Sequence, residues 1–382
     1  MKLYNYLAIL FLLFLLSAMV YVAAGGNDIL GDVAQLWKRW THPTPRTQWL
    51  RQAKQDGIEQ LDLWEASYEK AAGEKLVITL PHREKIKHSG ENGRTAHAFR
   101  IDLPAGRQLR IRCEKINDLR IFGALYGERK LGYPLAFWEA DQWELTYENR
   151  WAKGQTVRFL VQTPPQASVE FALEFTTSPI LTFPVQGRSE KSIQSFWGDP
   201  RDGGRRKHEG NDVFAPKGTP LLAVVNGRVD RVKEGGIGGK VVWLSDGEGR
   251  GLDYYYAHLD EQMVSVGDLV NRGEVIGTVG NTGNAQFTPP HLHFGIYDGA
   301  AMDPFEFIRD ADGAAKPPQL SLDKVPAKVP GRGNHYLRIT PSREGEVMRQ
   351  LQNGEAVSIV GATGRFYRLM TSAGEVGYAN FD

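Results

Sequence analysis

Cysteine is nearly absent from this chain, which has one, Cys113, among 382 residues. A disulfide within the chain is therefore impossible, and a zinc site built on cysteine is nearly so. Any metal bound here must be held by histidine and carboxylate side chains. Cys113 itself ends an alternating apolar and polar stretch, residues 109–113, which predicts a buried strand residue and not a reactive thiol.

An excess of charge of either sign is also lacking, because 46 Lys and Arg face 45 Asp and Glu, for a formal net charge of +1. A nucleic-acid-binding protein would show a strong basic excess or stripe, so we expect no nucleic-acid partner. Hydrophobic residues make up 41% and charged residues 24%, as in folded globular chains and unlike disordered ones. The 42 Gly and 20 Pro favour many short strands joined by turns.

One long apolar run stands near the N-terminus, where Lys2 precedes the uncharged residues 7–24. This run is about long enough to span a bilayer, which takes roughly 20 residues. The small residues at 22–24 would also serve as a signal-peptidase cleavage site. A cleaved signal peptide and an uncleaved anchor in the cytoplasmic membrane both stay open. Both predict that the rest of the chain is exported to the periplasm or cell envelope, and the lack of a following cysteine excludes a lipoprotein anchor.

Changes in hydrophobic period divide the remainder of the chain into parts, and no strict internal repeat is present. Apolar residues at helical spacing come first and predict a stalk or a packed helical pair. Apolar and polar residues then alternate between turns, which predicts a β-sandwich. The fold class is therefore mainly β and multidomain. The predicted parts are a targeting segment (1–26), a helical segment (27–74), a β-sandwich (75–178), an antiparallel-β domain that carries the chemistry (179–310), a Pro/Lys/Ala-rich linker (311–331) and a small β-domain (332–382).

Nine histidines occur in the chain, and four of them fall in three short blocks of the fourth part. The scattered His82, His88 and His97 lie among Lys and Arg, and we expect them at the surface. The three blocks are His208-Glu209-Gly210-Asn211-Asp212, Tyr254-Tyr255-Tyr256-Ala257-His258 and His291-Leu292-His293.

Strand geometry predicts how the side chains of these blocks face. Residues two apart on a strand point to the same side, so His291 and His293 share one face, opposite Leu292. The same rule places His258 on one face with Tyr254 and Tyr256, which either line a groove or pack against the sheet.

The first block is predicted to form a tight turn, because Gly210, Asn211 and Pro216 argue against a helix. This turn folds the carboxylate of Asp212 back toward the imidazole of His208. Glu209 is expected to be a solvated carboxylate, since neighbours on an extended chain point apart. The glycine-rich residues 235–239 lack the Lys-Ser/Thr ending of a phosphate loop and are predicted to be a mobile loop at the rim of a cleft.

Zinc is the metal that suits such a set, because it accepts histidine nitrogen and carboxylate oxygen. Three protein ligands leave its fourth position for water, whose pKa the metal lowers to about 7. Without an acidic cluster or further cysteines, calcium and iron–sulfur sites are poor alternatives. Spacing alone does not say which histidines bind the metal.

The segments "HEGNDVFAPKGTPL", "YYYAHL", "HLHFGI" and "MDPFEF" resemble the signature blocks of the lysostaphin-type, or LytM-like, zinc endopeptidases. The likeness extends over residues 196–307. It implies hydrolysis of cross-links or stem peptides of bacterial peptidoglycan, without indicating which bond is cut. It also implies roles for five residues: His208, Asp212 and His293 as zinc ligands, and His258 and His291 as the groups that orient and deprotonate water or stabilise the oxyanion.

Two other functions stay open at this point. One is a non-catalytic wall-binding regulator that activates another hydrolase, and the complete His/Asp set favours an enzyme over it. The other is a peptidase that acts on secreted proteins. The segments "LRITPS", "RFYRLM" and "GEVGYANF" resemble bacterial SH3-like domains, which implies binding of peptidoglycan peptides or a packing role. The segment "FRIDLPAGRQLRI" resembles secreted pre-peptidase sandwich domains. We hypothesise that the upstream helices and sandwich control access to the cleft. The alternative is a simple spacer that sets the reach from the membrane to the wall.

Overall fold

A computed structural model describes residues 37, 38 and 41–381, apart from 89–93, 116–119, 129–131, 140, 141, 152, 166 and 324. The predicted targeting segment, residues 1–26, lies outside the described residues. Among the residues that are described, no helix is long and apolar enough to cross a membrane.

Strands dominate the regular structure, in agreement with the predicted mainly-β class. The helices are α1 (Pro45–Gln55), α2 (Leu61–Ala72) and the short α3 (Phe305–Ile308). The strands are β1 (Val77–Ile78), β2 (His82–His88), β3 (Ala96–Leu103), β4 (Arg107–Lys115), β5 (Phe122–Gly127), β6 (Ala136–Phe137), β7 (Glu144–Glu148), β8 (Gln155–Gln162), β9 (Val169–Pro179), β10 (Ile193–Ser195), β11 (Pro200–Arg201), β12 (Arg206–Lys207), β13 (Asn211–Phe214), β14 (Pro220–Leu222), β15 (Gly227–Lys233), β16 (Lys240–Asp246), β17 (Asp253–Gln262), β18 (Leu269–Val270), β19 (Val275–Val279), β20 (His291–Asp298), β21 (Ala300–Met302), β22 (His335–Arg338), β23 (Val347–Leu351), β24 (Val357–Thr363), β25 (Phe366–Thr371) and β26 (Val376–Ala379).

The two N-terminal helices form a packed pair. Thr44 caps α1, because its side chain accepts a hydrogen bond from the backbone N–H of Thr47, and a proline follows at the first helical position. Helix α2 buries Trp64 and Tyr68, and the indole N–H of Trp64 donates to the carbonyl of Thr163 at 2.7 Å. Of the two predicted alternatives, a stalk or a packed pair, residues 45–72 therefore adopt the second.

The strands that follow the helices form a β-sandwich of two facing sheets. One sheet has the strand order β1-β3-β8-β5-β6, and the strands β2-β9-β4-β7 face it. Phe99, Phe159 and Phe175 are buried between the two sheets. Cys113 lies on β4 in the same core with 5% exposure, which confirms the prediction of a buried strand residue.

The prediction that three upstream histidines lie at the surface is wrong, because His82, His88 and His97 are only 2–5% exposed. The basic residues between His82 and His88 are partly or fully exposed on alternate strand positions, whereas Arg94, near His97, is itself buried. The ring of His82, for example, lies 5.9 Å from the ring of Phe175 in the interior. Side chains alternate between the two faces of a sheet, so a layer that covers one face buries every second residue whatever its polarity.

The C-terminal strands continue one of these sheets. The strand order of this nine-stranded sheet is β23-β22-β26-β25-β24-β2-β9-β4-β7, so β24 pairs with β2. At this junction Arg368 and Glu84, both with fully buried side chains, form an ion pair at 2.6 Å between Nε and Oε1. The hydroxyl of Tyr378 donates to the other oxygen of Glu84 at 2.9 Å. Residues 335–379 are thus joined to the sandwich by backbone pairing and by a satisfied buried charge pair.

Breaking this charge pair is expected to destabilise the protein strongly. The variant Arg368→Ala leaves the carboxylate of Glu84 buried without its cation, which typically costs about 3–5 kcal/mol in the free energy of unfolding. Denaturant titration followed by fluorescence measures the change. Arg365→Ala is the matched control, because Arg365 is exposed three residues away and its loss should stay within about 0.5 kcal/mol. Equal stabilities of the two variants would contradict the structural role of the pair.

The sandwich also packs against the domain that carries the predicted site and is hydrogen-bonded to it. Gly106, at φ +70°, lies under the ring of Phe307, and a Cβ there would stand 2.2 Å from that ring. The neighbouring Arg107 has a fully buried side chain and donates to the carbonyl of Arg309 at 2.9 Å. The predicted linker, residues 311–331, contains no named strand or helix among its described residues, but Leu322 is buried in the C-terminal core.

The domain with the predicted site is built on an antiparallel sheet of strand order β10-β13-β20-β17-β16-β15-β18, with β14, β19 and β21 at its margins. One face of this sheet covers a core that includes Leu244, Leu292, Phe294 and Phe307. The other face holds the histidines.

Candidate metal centre

Three adjacent strands, β13, β20 and β17, bring the candidate residues together. Asp212 on β13 is the direct antiparallel partner of His293 on β20, and His293 is in turn the partner of Ala257 on β17. Leu292 is fully buried in the core, whereas His291 and His293 both line a cleft on the opposite face. The predicted same-face arrangement of the two histidines is confirmed.

His208, Asp212 and His293 form a nearly equilateral triangle of donor atoms. The Nε2 atom of His208 lies 2.9 Å from Nδ1 of His293, and Oδ1 of Asp212 lies 3.0 Å from each of these nitrogens. A tetrahedral zinc ion with bonds of about 2.0–2.1 Å holds its ligand atoms about 3.3–3.4 Å apart. The donor set therefore fits one zinc ion after the three atoms separate by less than about half an ångström.

In His208 and Asp212, the polar atom that is not part of the triangle is held by a hydrogen bond. This bond directs the other polar atom of the same side chain toward the triangle. Nδ1 of His208 lies 2.9 Å from the carbonyl oxygen of Phe196, which can only accept, so Nδ1 carries the proton and Nε2 a free lone pair. Oδ2 of Asp212 accepts from Nη2 of Arg201 at 2.7 Å. Although burial opposes it, the close contacts of Asp212 with the imidazoles of His208 and His293 hold the pKa of this carboxyl group well below its usual range, so the carboxylate is ionised.

Gly210 allows the first block to approach the third. A Cβ at this position would lie 2.5 Å from the carbonyl oxygen of Phe294 and 2.8 Å from the ring of His293. The predicted turn is therefore confined to residues 208–210, and Asp212 already belongs to β13. Glu209 between them is exposed, as predicted for a solvated carboxylate.

The prediction that His258 shares a face with Tyr254 and Tyr256 is wrong. Both tyrosines are fully buried in the core, whereas His258 lines the cleft. His258 has φ +66°, a left-handed conformation that is uncommon outside glycine, and the register with β16 shifts between Lys240 and Val242. This bulge turns the side chain over to the opposite face of the sheet.

His258 and His291 present free nitrogen atoms to the cleft. The Nδ1 atom of His258 donates to the carbonyl of Thr282, and that of His291 donates to the carbonyl of Pro289, each at 2.9 Å. Their ring centroids are 5.1 Å apart. Burial and the imidazoles of His291 and His293 lower the pKa of His258 to about 4. His258 is therefore neutral near pH 7, and its Nε2 can accept a proton.

The cleft has a volume of about 480 Å³, and among the residues that the structure describes, those that line it lie between 195 and 297. None of the described residues of the helices or of the sandwich is among them. Ile237 and Gly238, from the glycine-rich segment, belong to the lining, and Ile237 is 61% exposed. This agrees with the predicted position of that segment at the rim.

Three further cleft residues were not anticipated from the sequence. Arg201 contacts Asp212, Phe214 stacks on His291 with ring centroids 5.0 Å apart, and Tyr255 approaches His293 at 5.8 Å. For Phe214 a signal existed, because it lies two positions after Asp212 on the same strand and therefore on the same face. Arg201 lies on the separate hairpin of β11 and β12, and no spacing rule points to it.

Part of this chain is similar in sequence to known peptidases. Residues 206–304 match the model of peptidase family M23. An L-Ala–D-Glu endopeptidase of Bacillus subtilis (strain 168) is 36% identical over 140 residues, which are 33% of this chain and 42% of that protein. The peptidoglycan DD-endopeptidase ShyC of Vibrio cholerae is 36% identical over 98 residues, 25% of this chain and 21% of that protein. This chain thus spans less than half the length of either curated relative.

Among solved structures, the catalytic domain of lysostaphin from Staphylococcus simulans is 31% identical to this chain. The match covers 30% of this chain and 91% of that domain, with a TM-score of 0.27. The family is one of zinc metallopeptidases, to which the His208, Asp212 and His293 triangle is suited. Residues 206–304 of this chain are thus similar to the peptidases of family M23.

Proposed function

We propose that this protein is a zinc-dependent endopeptidase that hydrolyses peptide bonds in the cross-links or stem peptides of bacterial peptidoglycan. The observation that carries the proposal is the donor triangle of His208, Asp212 and His293, with the imidazoles of His258 and His291 lining the same cleft. The names of the relatives add support, since one is an L-Ala–D-Glu endopeptidase and another a peptidoglycan DD-endopeptidase.

The roles of the residues follow from their protonation. When bound, zinc supplies a Lewis acid that polarises the scissile carbonyl and activates water. Nε2 of His258 or His291 accepts the proton of the attacking water, and the protonated imidazole then donates it to the leaving amine. The other imidazole stabilises negative charge on the carbonyl oxygen when it is protonated, because its Nε2 then carries a hydrogen that it can donate. The carbonyls of Thr282 and Pro289 keep both rings in the required tautomer.

The competing function is a wall-binding regulator without catalysis. Such a protein needs a groove for peptides but has no need of two buried imidazoles with free nitrogens aimed at a metal centre. The retention of His258 and His291 therefore favours the enzyme.

For the remaining parts of the chain we propose an exported protein that works outside the cytoplasmic membrane. The apolar residues 7–24 after Lys2 and the location of peptidoglycan support this. We also propose that the five antiparallel strands from β22 to β26 are an SH3-like domain, on the basis of the sequence motifs and the strand pairing.

Metal removal tests the proposal directly. The zinc-loaded chain is incubated with purified sacculi, and released fragments are identified by mass spectrometry. We expect muropeptide fragments whose new termini identify the bond that is cut. Chelation should stop the release, and added zinc should restore it, because three ligands without the ion provide no Lewis acid. Fragment release that continues unchanged after chelation would refute a zinc peptidase, and an absence of fragments with full zinc loading would favour the regulator.

A further inference from the structure

Arg201 lies on the β11–β12 hairpin at the rim of the cleft, with 31% of its side chain exposed. Its Nη2 atom is 2.7 Å from Oδ2 of Asp212 and 2.6 Å from the hydroxyl oxygen of Ser195. The guanidinium therefore bridges two separate segments, one of which carries a predicted metal ligand.

The segment that contains Ser195 is hydrogen-bonded to His208, the other predicted ligand in the first block. The hydroxyl of Ser195 donates to the carboxylate of Asp199 at 2.9 Å. The backbone carbonyl of Asp199 accepts the N–H of His208 at 2.8 Å, and the N–H of Gly198 donates to the carbonyl of His208 at 2.9 Å. One arginine thus connects the carboxylate of Asp212 with the loop that holds His208.

We propose that Arg201 is a positioning residue that holds Asp212 as a one-oxygen zinc ligand and thereby sets the zinc affinity of the site. The inference rests on the proposed function in taking zinc as the metal. Arg201 occupies Oδ2, which leaves Oδ1 at 3.0 Å from both ligand nitrogens. A charge-assisted bond of this kind restrains the rotation of the carboxylate more strongly than a neutral one. Without it, Asp212 can turn either oxygen toward the histidines.

A different role for Arg201 would be to anchor the substrate, since it also lines the cleft. The two roles predict different measurements. A substrate anchor raises KM and leaves zinc affinity unchanged, whereas a positioning residue changes the metal site when no substrate is present. Zinc affinity measured on the free chain therefore separates them.

The test uses Arg201→Gln in the full chain, with zinc affinity measured by competition with a chromogenic chelator. Partners that orient metal ligands typically contribute about 10–100-fold in metal affinity, and we expect a loss in that range. Arg201→Lys should lose less, because it keeps the charge but cannot reproduce the planar fork. Arg188→Gln is the matched control, since Arg188 is exposed in the same domain outside the cleft, and its zinc affinity should equal that of the wild type.

A spectroscopic readout accompanies the affinity. The visible absorption of the cobalt-substituted chain reports ligand geometry, and it should change in Arg201→Gln but not in Arg188→Gln. If the zinc affinity and the cobalt spectrum of Arg201→Gln both equal those of the control, the proposal is overturned. If Arg201→Gln fails to fold, Arg201→Lys decides by the same two measurements. Neither measurement uses peptidoglycan, so a chain that needs Arg201 for zinc but releases no wall fragments refutes the hydrolase and leaves this inference intact.

Discussion

Replacing His293 with alanine is expected to remove the zinc ion and, with it, hydrolysis of peptidoglycan. His293 lies at the centre of the site, because it is paired with Asp212 on one neighbouring strand and with Ala257 on the other. Its loss leaves two protein ligands, whereas catalytic zinc sites that keep a fourth position open for water typically have three. Zinc content after gel filtration should fall from one ion per chain toward none, and release of fragments from sacculi should fall to that of the metal-free protein.

The control for this variant is another buried histidine outside the site. His335 is 6% exposed and lies on β22, where its Nε2 bonds the carbonyl of Arg332. His335→Ala should keep one zinc per chain. If His293→Ala also keeps its zinc, then His258 or His291 takes the place of the third ligand, and the assignment of ligands and proton-transfer groups must be exchanged.

The second large effect is expected for His291→Ala, which should keep zinc and lose about 10²–10⁴-fold in the rate of hydrolysis, the usual contribution of a general acid or base. His291 faces the same cleft as His293, but its ring is not part of the donor triangle. Its Nδ1 is bonded to Pro289 and its ring stacks on Phe214, so its Nε2 is held in one direction.

Steady-state kinetics on a defined muropeptide, with zinc content measured on the same sample, test this expectation. The decrease should appear in kcat, because the imidazole acts on the reacting atoms and not on the rest of the peptide. Phe214→Leu provides a graded comparison, since it keeps His291 but removes the stacked ring, and a smaller loss is expected. A His291→Ala chain without zinc would show that His291 is a ligand. A His291→Ala chain with the kcat of the wild type would show that His291 takes no part in the mechanism.

The pattern of residues predicted much of the site because strand geometry is local. Two residues that are two positions apart on a strand share a face in any sheet, so the arrangement of His291 and His293 needed no knowledge of the fold. The same period placed Cys113 in a core. The scarcity of cysteine restricted the ligands of a metal to histidine and carboxylate before any partner was known.

The same local rule failed where the chain departs from regular geometry. His258 crosses to the other face of β17 through one left-handed residue and a register shift, and neither feature has a signal in the alternation of polar and apolar residues. Arg201 reaches Asp212 from a separate hairpin, so its contact depends on how that hairpin packs.

By itself, the sequence determined the mainly-β class, the three histidine blocks and the kind of metal they suit, because these depend on residue type and on spacing within one strand. The tertiary structure alone decided that His82, His88 and His97 are buried, that β24 extends the sheet of the sandwich through β2, and that the described residues lining the cleft lie between 195 and 297. Each of these depends on pairing between segments far apart in the chain. Such pairing is set by the total burial of apolar surface and by partners for buried charges such as Glu84 and Arg368, which no short stretch of sequence contains.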